Sequence, residues 1–228
     1  MTRFVQVNRS RHPEERSLRI ASRRTHSLTA DLALAAAKTA LRLEARARRK
    51  GLMIQHPEAD WLAADQAPAM LATLGLRREG VVAIYKALGA EIDPRPLGEG
   101  LRKLGWRTAL PAVEAQDAPL TFRQWTPGEP LAKDLTDLAA PLPSAPEVRP
   151  DLVIVPLLAF DRAGGRLGQG GGFYDRTLEA LRDDGPAPPF VGFAYAGQEL
   201  PHIPSEPHDQ RLDGILTEAG YIAVRKDY

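Results

Sequence analysis

Apolar and polar positions follow two periods along this chain. Residues 31–50 are rich in Ala, Leu and Arg, and Leu32, Leu34, Leu41 and Leu43 give an apolar face, which predicts a helix. Its basic end, Arg46, Arg48, Arg49 and Lys50 followed by Gly51, reads as a solvated cluster that complements the helix dipole and stops the helix. A second helix is expected over residues 56–74, a short buried strand over 80–85 (GVVAIY), and a helix over 94–104 that Gly105 ends. Strands follow at 107–112 and 120–125, then a proline-rich connection at 141–150. The run DLVIVPLL at 151–158 is continuously apolar, as in strands buried on both sheet faces. Residues 173–182 read as a helix, and 190–195, 214–216 and 221–224 as strands. Helices interleaved with apolar strands predict an α/β fold: a mostly parallel sheet with helices on both faces.

Composition narrows the class. The 228 residues, 43% hydrophobic and 26% charged, suit one ordinary globular α/β domain. The 20 prolines and 19 glycines imply frequent turns between short elements. With no cysteine, disulfides, cysteine-ligated zinc and thiolate catalysis are excluded. No stretch approaches the roughly 18 apolar residues of a membrane span, and the N-terminus lacks the apolar core of a secretory signal, so no membrane association and a cytoplasmic location are expected.

Charge is uneven. Residues 1–30 hold seven arginines and two glutamates, a net of +5; the whole chain is +1, so the remainder carries −4. This first segment shows no sustained period and reads as a basic, disordered extension to a domain spanning 31–228. A basic arm for nucleic acid or an acidic partner is the alternative, with mitochondrial targeting disfavoured by Glu14 and Glu15. The acidic remainder speaks against a nucleic-acid-binding module.

Six of the nine residues from Gly164 to Gly172 are glycine, between an apolar strand and a helix that Asp175 helps to open. Glycines let backbone N–H groups converge on an anion, and a helix N-terminus adds partial positive charge. No Gly-Lys-Ser/Thr follows, so this is not a Walker A loop. A ligand-free surface turn is the competing account, weakened by Arg166, Asp175 and Arg176 close by: Arg166 offers a fork to phosphate oxygens, and Asp175 a magnesium ligand. The polar loop at 204–213 supplies His208 and Asp209, a second carboxylate suited to Mg²⁺ if it approaches Asp175, or merely exposed loop residues. Glu91 and Asp93 follow a strand, where open parallel sheets present ligand-binding groups; Asp93 before Pro94 also suits a helix N-cap.

The segment RLGQGGGFYDRTL at 166–178 resembles the signature of 5-formyltetrahydrofolate cyclo-ligases, also called 5,10-methenyltetrahydrofolate synthetases. Further segments fall in the family's order: Lys38-Thr-Ala-Leu41-Arg42, Glu91-Ile-Asp93, PDLVIVPLLAFD and PSEPHDQRLDGILTE, together covering roughly residues 35 to 220. The resemblance implies a three-layer fold like that of sugar-phosphate isomerases and CoA-transferases. It also implies a monomeric enzyme that uses MgATP to close 5-formyltetrahydrofolate into 5,10-methenyltetrahydrofolate, releasing ADP and phosphate. Lys38 and Arg42, four apart on one helix face, would then reach ATP phosphates, with Lys38 and Arg166 serving the phosphoryl transfer. Arg166 and the backbone of Leu167, Gly168, Gln169, Gly170, Gly171, Gly172, Phe173 and Tyr174 would cradle the triphosphate. Asp175 and Asp209 would hold magnesium, and Glu91 and Phe173 would contact the folate. Some family members have lysine where this chain has Gly171 and tyrosine where it has Phe173, which shifts phosphate charge onto Arg166, Lys38 and magnesium. The alternative on the same fold is an enzyme that does not use ATP, or a binding protein for a phosphorylated metabolite.

Overall fold

The computed structural model describes residues 13–76 and 79–224. The chain divides into two compact units, residues 1–40 and residues 41–228. The described part of the first unit is helical and belongs to α1 (Pro13–Gln55). Pro13 suits the first turn of a helix, where its missing N–H costs nothing. Residues 13–30 of the expected extension fall within this helix. Residues 1–12 of that extension lie outside the described residues.

The second unit is an α/β domain. After α1 come α2 (Ala59–Ala64) and α3 (Ala67–Leu74), then β1 (Val81–Ala83), α4 (Arg95–Lys103) and β2 (Arg107–Ala112). The antiparallel strand β3 (Thr121–Gln124) follows, then a small hairpin of β4 (Leu131–Lys133) and β5 (Ala139–Pro141). The buried strand β6 (Leu152–Pro156) leads into a second hairpin, β7 (Ala159–Phe160) and β8 (Arg166–Leu167), and then α5 (Phe173–Asp183). The chain continues through β9 (Phe190–Phe193), β10 (Gly214–Thr217) and β11 (Gly220–Ala223).

Seven strands form one sheet in the order β11-β10-β9-β6-β1-β2-β3. The five central strands are parallel, and β11 and β3 close the edges antiparallel. Strand β6 displays the layering. Leu152 and Ile154 join Met70, Leu97 and Leu101 of α3 and α4 on one face, while Val153 and Val155 join Leu178 of α5 on the other. Successive side chains of a strand point to opposite faces, so a continuous apolar run serves two cores. No helix among the described residues is long and apolar enough to cross a membrane.

Three local expectations are corrected. Helix α1 runs past Gly51 to Gln55, because Leu52 and Met53 pack into the core and outweigh a cost of about 1 kcal/mol for an interior glycine. The single helix expected at 56–74 is two, with Pro68 in the first turn of α3. Neither hairpin was anticipated, since strands of two or three residues are too short to show a period.

Candidate active site

The glycine-rich segment occupies the connection from β6 to α5, which the β7–β8 hairpin positions. At the turn of that hairpin, buried Asp161 accepts the N–H groups of Ala163 (3.0 Å), Gly165 (2.9 Å) and Ile203 (2.8 Å). A Cβ on Gly165 would lie 2.6 Å from this carboxylate, so only glycine fits. Beyond β8 the chain turns through residues 168–172 into α5, with Gly172 capping the helix at φ +67°, a conformation that favours glycine. Among the described residues, no N–H group from Gly168 to Gly172 donates a hydrogen bond to another backbone group. Open amides meet the positive end of a helix here, the arrangement that binds anions.

Arginines surround this loop. Arg42 Nε donates to the Gly168 carbonyl (3.0 Å), and Arg46 donates twice to Gln169 Oε1, from Nε (3.1 Å) and Nη2 (2.9 Å). Arg176 Nη2 donates to the Gly171 carbonyl (2.9 Å), and its guanidinium lies 5.0 Å from the centre of the Phe173 ring, a cation–π contact. Arg166 Nη2 stands 2.7 Å from Asp175 Oδ1, with the two side chains 7% and 19% exposed. That meeting is an ion pair by distance but not an aligned hydrogen bond, and the buried Nη2 makes none elsewhere. Asp175 Oδ1 also accepts the Gln210 N–H (2.9 Å), which ties the 204–213 loop to the first turn of α5.

A second cluster lies at the carboxyl ends of β1 and β6. From β1 the chain passes to β2 on one side, while β6 leads to β9 on the other, so the gap between β1 and β6 is where the strand order reverses. Open parallel sheets bind ligands in this crevice. Arg49 Nη1 donates there to Glu91 Oε1 (3.3 Å) and to the Leu157 carbonyl (3.1 Å), and both members of the ion pair are 7% exposed. Glu91 Oε2 accepts the Leu88 N–H (3.0 Å). Burial, followed by the Glu91 carboxylate, pushes the Tyr174 phenol well above its ordinary range, and the Arg166 guanidinium acts against this. The Tyr85 phenol, also raised by burial and then by Glu91, donates to the Ile92 carbonyl at 2.6 Å.

In the 204–213 loop, Glu206, His208 and Asp209 each offer a ligand atom, all within 4.8 Å of one another. Asp209 Oδ2 accepts the Glu206 N–H (2.7 Å), and His208 is largely exposed. Asp175 does not belong to that group.

Of the residues singled out from the sequence, Arg42 and the 166–175 segment are brought together. Lys38 lies on α1 with its side chain buried. Pro94, not Asp93, stands at the N-cap of α4; Asp93, one residue earlier, accepts the Arg95 N–H at 3.0 Å, whereas Glu91 is turned to Arg49 and Leu88. The solvated reading of the cluster from Arg46 to Lys50 is corrected for two residues: Arg49 is buried, and Arg46, though exposed, holds the glycine loop. The leucine face is corrected too. Leu32 and Leu43 are 72% and 71% exposed, Leu34 and Leu41 are half-buried with Leu41 packed against the cluster of Leu158 and Leu167, and Lys38, Ala45 and Arg49 are buried. Arg42, Arg46 and Arg49 follow the four-then-three spacing of one helix face. Carrying the spacing that singled out Lys38 and Arg42 further along the helix would have found them.

Residues 34–218 match the 5-formyltetrahydrofolate cyclo-ligase family. The chain is 36% identical over 141 residues to the 5-formyltetrahydrofolate cyclo-ligase of Escherichia coli (strain K12), covering 60% of this chain and 76% of that one. With the Mycolicibacterium smegmatis enzyme of the same name it shares 34% over 160 residues, covering 66% and 81%. Among solved structures, the Aquifex aeolicus 5,10-methenyltetrahydrofolate synthetase is similar at a TM-score of 0.66 and 26% identity, covering 84% of this chain and 94% of that one. The Mycoplasma pneumoniae synthetase, at 0.61 and 23%, shares the fold over 79% and 98%. Sequence and fold together establish that this chain is an enzyme belonging to the 5-formyltetrahydrofolate cyclo-ligase family.

Proposed function

We propose that this enzyme closes 5-formyltetrahydrofolate to 5,10-methenyltetrahydrofolate with consumption of MgATP. The observation that carries the ATP-dependent reading is the glycine loop: open amides at the start of α5, with Arg42 on the Gly168 carbonyl and Arg166 behind. The formyl oxygen of an N5 amide is a poor leaving group. ATP supplies a phosphoryl group to that oxygen, releasing ADP. N10 then bonds to the formyl carbon and gives up its proton, and the carbon–oxygen bond breaks with loss of phosphate.

Such a reaction needs positioning and charge neutralisation rather than a protein nucleophile. Lys38, Arg42 and Arg166 neutralise phosphate charge, with Lys38 and Arg166 directed to the transferred group, and the backbone from Leu167 to Tyr174 holds the triphosphate. Magnesium, which would offset phosphate charge, prefers oxygen ligands. Carboxylates fit it better than the His208 imidazole; Asp209 and Asp175 are the proposed ligands on the family resemblance, Asp175 standing outside the group that Asp209 forms with Glu206 and His208. Their link through Gln210, Asp209's neighbour in the chain, supports the pairing. Glu91 in the crevice accepts hydrogen bonds from the pterin, and partly exposed Phe173 offers its ring for stacking.

The test is turnover. Purified protein given 5-formyltetrahydrofolate should develop the near-ultraviolet absorbance of the methenyl product only when ATP and magnesium are both present. No change at saturating substrates sinks the proposal, and a change without ATP removes its phosphoryl-transfer step.

A further inference from the structure

We propose that Arg49 is a positioning residue that fixes the Glu91 carboxylate as an acceptor for the folate. This rests on the reading of Glu91 as a folate contact and adds a residue to it. Arg49 joins three parts of the fold: it stands on α1, its Nη1 donates to the Leu157 carbonyl just past β6, and the same nitrogen donates to Glu91 in the segment after β1. Both charged side chains are 7% exposed. A guanidinium is removed from water only at considerable cost, and this one has its Nε buried without a hydrogen-bond partner. An apolar side chain would fill the place without that cost, as Leu52 does one turn further on. What the cation supplies is orientation.

With Oε1 held by Arg49 and Oε2 by the Leu88 N–H, the plane of the Glu91 carboxylate is set from two sides. Each oxygen has a second lone pair, so the oriented group can accept further N–H donors. A ligand edge with adjacent N–H groups matches this, as in the amino-substituted ring of a pterin. Fixing an acceptor before the ligand arrives lowers the ordering cost of binding. Arg49 therefore acts on folate affinity and not on the triphosphate, which the arginines around the glycine loop serve.

The experiment measures kcat and KM for each substrate in Arg49→Gln, Arg49→Lys, Glu91→Gln and the double variant Arg49→Gln/Glu91→Gln, with exposed Arg48→Gln as the control. Arg49→Gln should raise the KM for 5-formyltetrahydrofolate about tenfold or more and that for ATP less than about twofold. Arg49→Lys should recover part of the folate affinity, and the double variant should bind folate no worse than Glu91→Gln. A merely structural Arg49 would lower the melting temperature and move both KM values together, or neither, which overturns the inference; if Arg49→Gln does not fold, Arg49→Lys alone reads the same split. Additive folate effects in the double variant also overturn it. Wild-type protein without turnover overturns both this inference and the proposed reaction, whereas an active wild type with an unchanged folate KM in the Arg49 variants overturns the inference alone.

Discussion

Arg166 and Asp175 meet at 2.7 Å where β8 hands over to α5, one from the strand and the other from the first turn of the helix. The same carboxylate takes the Gln210 N–H, so a single side chain ties the glycine loop's arginine to the 204–213 loop. Asp175→Asn keeps an acceptor for Gln210 but leaves the Arg166 cation buried and uncompensated. Stability should fall by roughly 1–3 kcal/mol, less than for a fully buried pair because Asp175 is partly exposed. A thermal melt checks this. Activity should drop at least about tenfold and recover partly in excess magnesium, since binding lost at a ligand is offset by mass action; unchanged kinetics remove Asp175 from the metal site.

Gly172 is the hinge between loop and helix. Its φ of +67° strains any residue with a Cβ, and that Cβ would lie 2.6 Å from Arg176 Nη1. Gly172→Ala should cost about 1–2 kcal/mol and raise the KM for ATP, with the folate KM much less affected. Melting temperature and steady-state kinetics measured together separate the strain from the binding loss.

Arg42 and Arg46 both touch the loop, Arg42 through the backbone of Gly168 and Arg46 through the side chain of Gln169. Arg42→Ala should therefore raise the KM for ATP about tenfold, and Arg46→Ala by a smaller factor because that contact is exposed. Raising the ionic strength should narrow the gap between Arg46→Ala and wild type more than that between Arg42→Ala and wild type. Titrating ATP at two salt concentrations decides it.

Four tyrosines, Tyr85, Tyr174, Tyr195 and Tyr221, are raised above the ordinary 10.0, in each case mainly by burial; Tyr221 reaches about 12. A raised phenol holds its proton longer in the folded protein than in the unfolded chain, so its contribution is fully present below pH 10 and is lost as pH climbs through the folded value. Stability should be insensitive to these groups below pH 10 and fall steeply above it. A near-ultraviolet tyrosinate titration should show their ionisation displaced to the alkaline side and merging with unfolding. Ordinary titration of all four at pH 10 would contradict their burial.

Deleting residues 1–30 should leave turnover intact, as the proposed site begins at Lys38 and the strands among the described residues run from Val81 onward. A large loss in the absorbance assay would show that this part of α1 belongs to the working enzyme.

Much of the layout was legible in the chain. The strand at 107–112 is β2 residue for residue, and β6 and α5 lie within two residues of expectation, because long apolar runs and strong helix formers carry their own signal. The glycine loop and its flanking Arg166 and Asp175 were visible as well, since open backbone and charge beside a helix start point to an anion whatever surrounds them. The outlook of α1 was not. Leu32 and Leu43 mark an apolar stripe, yet they are exposed while Lys38 and Arg49 are buried. Periodicity states which residues share a face but not which face the rest of the protein takes in. That depended on where Glu91 and the Leu157 carbonyl stand, two groups far apart in sequence that the parallel pairing of β1 with β6 brings to the same carboxyl end of the sheet. Local propensity along the chain was enough to place the layers and the glycine loop. Only the tertiary structure decided that Arg49 is a buried partner of Glu91 rather than a solvated charge, because a buried ion pair is made by pairing across the sheet and leaves no local trace.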